Sequence, residues 1–178
     1  MRGLDDIAAM NAQSITITRV GREADSLIEN LFGLYLHDMA EWFLFDIGAD
    51  GRYHHDMARY RADGSSVYLA RVGETPAGFA LVGPAPGWFG RPLTRDLHEF
   101  FVLRRHRRTR LGETMARTVW DSERGRWLVR VFEGNRPAVP FWRTVVGRYT
   151  DHTHRETRRE HNGRPWACFT FANDRARR

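Results

Sequence analysis

The chain has 178 residues, of which 42% are hydrophobic, and a formal net charge of +6. That length and apolar share suit one domain around one sizeable core. The lone Cys168 excludes an intrachain disulfide and a tetrahedral thiolate zinc site, and Met1 to Gln13, with Asp5 and Asp6 and no unbroken apolar run, reads as neither a signal peptide nor a membrane anchor.

A reducing cytoplasm is therefore the expected compartment. The positive balance is expected to attract anions, whether phosphates, nucleic acid or an acidic cofactor. No lysine is present, so arginine supplies the charge; this reads as a coding bias, although arginine is also the better bidentate partner for phosphate.

In chain order, Ser14 to Val20 alternates and is rich in Ile and Thr, which predicts a first strand. Ala24 to Trp42 predicts a helix, with Leu27, Leu31 and Leu34 as its buried stripe and Tyr35 and Trp42 beside them. A break at Gly48 to Gly51 precedes a short helix expected over His54 to Arg61. Ser66 to Val72 and Pro76 to Val82 read as a hairpin, and Gly83 to Pro92 as a loop. The second half alternates strand and helix: Asp96 to Leu103, Leu111 to Glu123, Trp127 to Phe132, then Arg136 to Tyr149 with Pro137 in its first turn. Such alternation implies parallel pairing. Asp151 to His161 reads as a polar, mobile stretch, Trp166 to Phe171 as a last strand, and Arg175 to Arg178 as a basic tail. The expected division is an extension over 1–13, one domain over 14–172 and a tail over 173–178.

Chemistry concentrates in the second half. Phe100-Phe101-Val102-Leu103 runs into Arg104 to Gly112, with five arginines in seven residues, and straight on into helical sequence at Glu113. A strand, a basic turn and a helix start make a phosphate cradle, because the first N–H groups of a helix lack partners and sit at its positive end. The same run also fits a solvated turn or a nucleic-acid patch. A second signal favours the cradle: Asn135 follows the strand Val129 to Phe132, with Ala138 three residues on and Phe141-Trp142 beyond it.

The two segments together resemble the GNAT acyltransferase superfamily. Val102, Arg107 and Gly112 match its first motif; Asn135, Ala138 and Phe141 match its second. The likeness implies an α/β fold, strictly α+β: a mixed, mostly antiparallel sheet of about six to seven strands with a splayed central parallel pair, flanked by about four helices. It implies acetyl-CoA or another acyl-CoA as co-substrate and no metal. It also implies transfer of the acyl group by direct attack of a small-molecule or peptide amine; nucleic acid and membrane are not expected partners, and a homodimer is left open. Phe100 becomes the residue whose backbone meets the acyl carbonyl and Val102 the partner of the pantetheine arm, with Phe101, Arg107, Arg108, Thr109, Arg110, Leu111, Gly112, Glu113, Asn135, Phe141 and Trp142 completing the cofactor site. Two departures stand out. Arg110 occupies the place of the first loop glycine, where negative φ is expected to let it fit. Trp142 replaces the tyrosine that protonates the departing thiolate in many members, a role that indole cannot fill.

For the base, strict alternation puts Asp96, His98 and Phe100 on one face and Leu97, Glu99, Phe101 and Leu103 on the other, unless a bulge intervenes. His98 and Glu99 are the joint candidates; pairing with arginine at the core edge is the alternative for each. Tyr35, Asp38 and Trp42 on the first helix are the expected acceptor-binding residues, although Asp38 is also placed to pair with an arginine. His54 with His55 and His152 with His154 do not complete a metal-ligand set, and Cys168 reads as packing. Two other functions remain open: an anionic-partner module built on the arginine run, and a non-catalytic acyl-CoA sensor.

Overall fold

A computed structural model describes residues 14–89 and 94–173; Met1 to Gln13, the end of the Gly83 to Pro92 loop and the Arg175 to Arg178 tail lie outside them. Seven strands form one sheet in the order β1-β2-β3-β4-β5-β7-β6, comprising β1 (Ile15–Arg19), β2 (Ser66–Val72), β3 (Thr75–Gly83), β4 (Arg95–Val102), β5 (Arg126–Phe132), β6 (Arg155–His161) and β7 (Arg164–Ala172). Every neighbouring pair is antiparallel except β4 and β5. Among the described residues there are three α-helices: α1 (Asp25–Met39), α2 (Leu111–Ser122) and α3 (Ala138–Thr150).

The helices form where apolar residues recur at three- and four-residue spacing. In α1 the buried set is Ile28, Leu31, Phe32 and Leu36, which pack on Val67 and Leu69 of β2, Phe79 and Leu81 of β3 and Phe101 of β4. This corrects the expected stripe: Leu34 is 51% exposed, and Ile28 and Phe32 take up the seam. On the opposite face, Leu111, Met115, Val119 and Trp120 of α2 and Trp142, Val145, Val146 and Tyr149 of α3 enclose the larger core with Trp127 and Phe169. One helix therefore covers the β2–β4 part of the sheet from one side, and two cover the other side.

Two expected segments change. His54 to Arg61 is helical only over a 3₁₀ turn, Ala58–Arg61. The polar stretch before the last strand holds edge strand β6, whose RETRREH sequence lacks an apolar face but pairs with β7 along its whole length. Its turn is Asn162-Gly163, both with positive φ (51° and 67°), a pairing typical of two-residue hairpins.

The feature that shapes the site is in β4. Leu81 pairs with Glu99 and Val82 with Leu97, so His98 is an extra residue. An inserted residue bends its strand and sharpens its twist. On the other edge, β4 pairs with β5 only at Arg95, Asp96 and Leu97; past Leu97↔Val129 the parallel strands diverge. Gly78 secures the far end, because a Cβ there would collide with the Phe101 carbonyl across the β3–β4 pair. Gly78→Ala is expected to lower stability by about 1–3 kcal/mol in denaturant titration; an unchanged midpoint would contradict so close an approach.

Candidate active site

The bulge resets the alternation of β4. Leu97, Phe100 and Val102 pack with the α2/α3 core, whereas Phe101 packs against α1 and Glu99 reaches α1 residues. Leu97 and Phe100 thus share a face, contrary to simple period-two counting. The His98 ring lies edge-on to Tyr60 at 6.1 Å, with Nε2 3.0 Å from the Pro84 carbonyl and 3.4 Å from an Asp96 carboxylate oxygen.

Glu99 is the focus of a network. Tyr35 Oη donates to it at 2.5 Å, Tyr60 Oη at 2.6 Å and the Arg59 guanidinium at 3.2 Å. Burial first, and then the Glu99 carboxylate itself, push both phenols above their ordinary range, so each stays protonated as a donor. Tyr60 and Arg59 carried no signal in the sequence, because their link to Glu99 spans 39 and 40 positions. Next to this network Asp96, fully buried, takes three bonds from Arg130, at 2.5 to 3.3 Å. Burial raises its carboxyl despite the opposing pull of Arg130 and His98.

His98 and the Glu99 network line a cleft of about 700 Å³ above the point where β4 and β5 part. Tyr35, Glu99 and His98 line it, as do Phe100, Val129, Asn135 and Trp142. Trp142 is edge-on to Phe100 at 4.8 Å. The Leu103 N–H donates to Ala77 of β3. Successive N–H groups of a strand point to opposite edges, so those of Phe100 and Val102 face the gap, where no β5 residue is in register. The Val102 carbonyl there accepts from Arg107 Nε at 2.9 Å.

Beyond β4 the chain winds through Arg104–His106 into α2. Among the described residues, no protein acceptor is found for the backbone N–H groups of Arg108, Thr109, Arg110, Leu111, Gly112 and Glu113; the first bond into the helix runs from Thr114 to the Arg110 carbonyl. Six adjacent unpaired donors at a helix start are what a diphosphate needs, so this chain fits the phosphate end of coenzyme A. Gly112 lets Phe141 pack closely on the turn, because a Cβ there would lie 3.1 Å from Phe141 Cζ. Phe141 also lies 6.4 Å from the Phe100 ring, which ties the two sequence motifs together.

Several expected roles are corrected. Arg110 has φ 67°, where negative φ was expected, and Arg108 also adopts the left-handed backbone at φ 64°. The Arg107 guanidinium turns back to Val102 and Asp38 and does not project as a phosphate ligand. Asp38 is held by Arg104 and Arg107, the pairing alternative to an amine-binding role; burial opposes this, but the two guanidiniums keep its carboxyl below the ordinary range. Trp42 lies past the end of α1, where its carbonyl accepts from Arg164, and Phe43 and Phe45 line the cleft in its place. The side chains of Thr109 and Glu113 are engaged by the His106 carbonyl and by Arg117 and Arg148, leaving their N–H groups as the available parts. The Phe101 side chain is core. Burial pushes the Cys168 thiol up to about 11, in keeping with packing.

Comparison with known proteins agrees with this geometry. The family model for the acetyltransferase (GNAT) family matches residues 33–147. A sequence search of curated proteins finds no match. Among solved structures, an acetyltransferase from Thermus thermophilus aligns over 90% of this chain and 97% of its own, with TM-score 0.63 and 16% identity. A Bacillus subtilis acetyltransferase in complex with CoA covers 90% and 99%, with TM-score 0.57 and 12% identity. The ribosomal-protein-S18-alanine N-acetyltransferase from Escherichia coli covers 92% and 96%, with TM-score 0.59 and 13% identity.

Two substitutions test the turn. Arg110→Gly relieves a left-handed side-chain clash and is expected to raise stability by about 1 kcal/mol in thermal melts; a fall would contradict the strained conformation. Asp38→Asn is expected to cost about 1 kcal/mol near neutral pH. A lowered carboxyl stabilises above its unfolded value and loses that contribution as pH falls through the folded one, so the gap to wild type should close as pH falls below the ordinary carboxylate value of about 3.9. A gap independent of pH would contradict the ion pairs. With a family model spanning most of its length and the family's diverging parallel strands in its sheet, the chain belongs to the GNAT acetyltransferase family.

Proposed function

We propose that the protein is an acetyl-CoA-dependent N-acetyltransferase in which Glu99 takes the proton of the attacking amine at the gap between β4 and β5. The observation that carries this reading is the divergence past Leu97↔Val129 at the floor of the cleft, on the strand that leads into the unpaired amides of the next turn. Acetyl-CoA supplies an acyl carbon activated as a thioester and a diphosphate by which it is held.

The N–H groups from Arg108 to Glu113 hold the diphosphate, with the exposed Arg108 and Arg110 as flanking charge. The Val102 N–H orients the chain that enters the gap. The Phe100 N–H donates to the carbonyl oxygen as negative charge develops there, in a cleft walled by Trp142 and Val129. Tyr35 and Tyr60 fix the Glu99 carboxylate while leaving lone pairs free to accept. As the C–N bond forms and the C–S bond breaks, the amine proton passes to Glu99, directly or through one water. Trp142 cannot return a proton to sulfur, so the thiolate leaves as such and solvent protonates it. His98 lines the same cleft with Nε2 engaged by Pro84, which leaves Nδ1 as its proton acceptor. The anionic-partner reading is weakened by Asp38, which binds two arginines of the basic run.

Calorimetry should show saturable acetyl-CoA binding. Glu99→Gln is expected to lower kcat by about 10²–10⁴ with acetyl-CoA affinity unchanged, and His98→Ala to lower it by less than about tenfold. No binding at millimolar acetyl-CoA would sink the reading, and the opposite ranking of the two variants would make His98 the base.

A further inference from the structure

The acceptor end of the cleft is built mainly from aromatic side chains. Phe43 and Phe45 follow α1 and line the cavity together with Phe132 of β5 and Trp166 of β7. They form a continuous wall: Phe43 lies 6.1 Å from Phe45, 5.1 Å from Phe132 and 6.4 Å from Trp166, and Phe45 continues to Tyr53 at 6.3 Å. All four lining rings are only partly buried, so apolar area is left facing an open cavity, an arrangement that marks binding surfaces. The Arg164 guanidinium backs Phe43 at 4.4 Å and Phe132 at 5.4 Å, and its bond to the Trp42 carbonyl fixes the segment that carries the wall.

The cleft offers few free negative charges. Of the two carboxylates that line it, Glu99 is bound by Arg59 and two phenols, which leaves Asp56, bonded to the Ala58 N–H, as a single acidic group, and Arg59 and Arg130 are themselves among the lining residues. A polyamine would find no series of uncommitted carboxylates for its distal ammonium groups, whereas an apolar ring would find a wall.

We infer that the acceptor is a monoamine carrying an aromatic or bulky apolar group, which packs against Phe43, Phe45, Phe132 and Trp166 while its nitrogen approaches Glu99. This rests on the acyl-transfer reading and adds the substrate class. The amine is recognised through its body, and Glu99 meets only the reacting nitrogen.

The test separates binding from turnover. With the CoA-saturated protein, calorimetry compares phenethylamine, ethylamine and spermidine, and thiol release from acetyl-CoA is followed for the same three amines. Phenethylamine is expected to bind roughly ten- to a hundredfold more tightly than ethylamine, the range that burying one aromatic ring supplies. The double variant Phe43→Ala, Phe132→Ala should lose most of that preference with ethylamine binding and acetyl-CoA affinity unchanged. Equal affinities, or spermidine the tightest, would overturn the inference and leave acyl transfer standing. Tight phenethylamine binding without thiol release would support the inference and count against the catalytic reading.

Discussion

The site depends on one extra residue. With His98 inserted into β4, the strand keeps its pairing with β3 but leaves β5 after Leu97. The bend does two things at once. It opens a gap between two parallel strands in the middle of the sheet, where the Phe100 and Val102 N–H groups face no partner strand. It also resets the side-chain phase, so that Glu99 reaches α1 and the 3₁₀ turn while Phe100 stays with the opposite core. A regular β4 would close the gap and leave backbone donors paired within the sheet. The unmatched amides are tolerated because they line a cleft open to water.

The phosphate turn works by a related economy of donors. Of its five arginines, Arg104 and Arg107 fold back on Asp38 and tie the turn to the end of α1, while Arg105, Arg108 and Arg110 remain exposed, the last two on left-handed backbone. The tie explains how a strained turn keeps its shape with no glycine at either position. Phe141 meets Gly112 from α3, so the turn is held from both sides and its N–H groups from Arg108 to Glu113 remain available. Preorganised amides of this kind bind an anion without first giving up other partners.

The sequence revealed the fold through local signals. Periodicity located α1, α2, α3 and most strands, and the strand-helix alternation of the second half announced the parallel pair. It failed where the signal was misread or was not local. Strand β6 has no apolar face, and the Asn162-Gly163 turn that fixes its pairing was the overlooked sign. The paired motifs around Val102 to Gly112 and Asn135 to Phe141 were legible because each is contiguous. The partners of Glu99 were not, since Tyr35 and Tyr60 come from separate elements brought together only by packing. The bulge likewise has no mark in His98-Glu99 themselves, and with it went the correct face assignment for Leu97 and Phe100. Arg110 stood out as unusual, but its backbone conformation follows from the geometry of the turn and not from arginine's preferences.

A crystal structure with acetyl-CoA bound would test the central claim most directly. The account requires phosphate oxygens about 3 Å from the N–H groups between Arg108 and Glu113, with the thioester carbonyl in the gap beside Phe100 and within reach of Glu99. A structure with the ligand seated elsewhere, those N–H groups bonded to protein and the gap filled by side chains would contradict it.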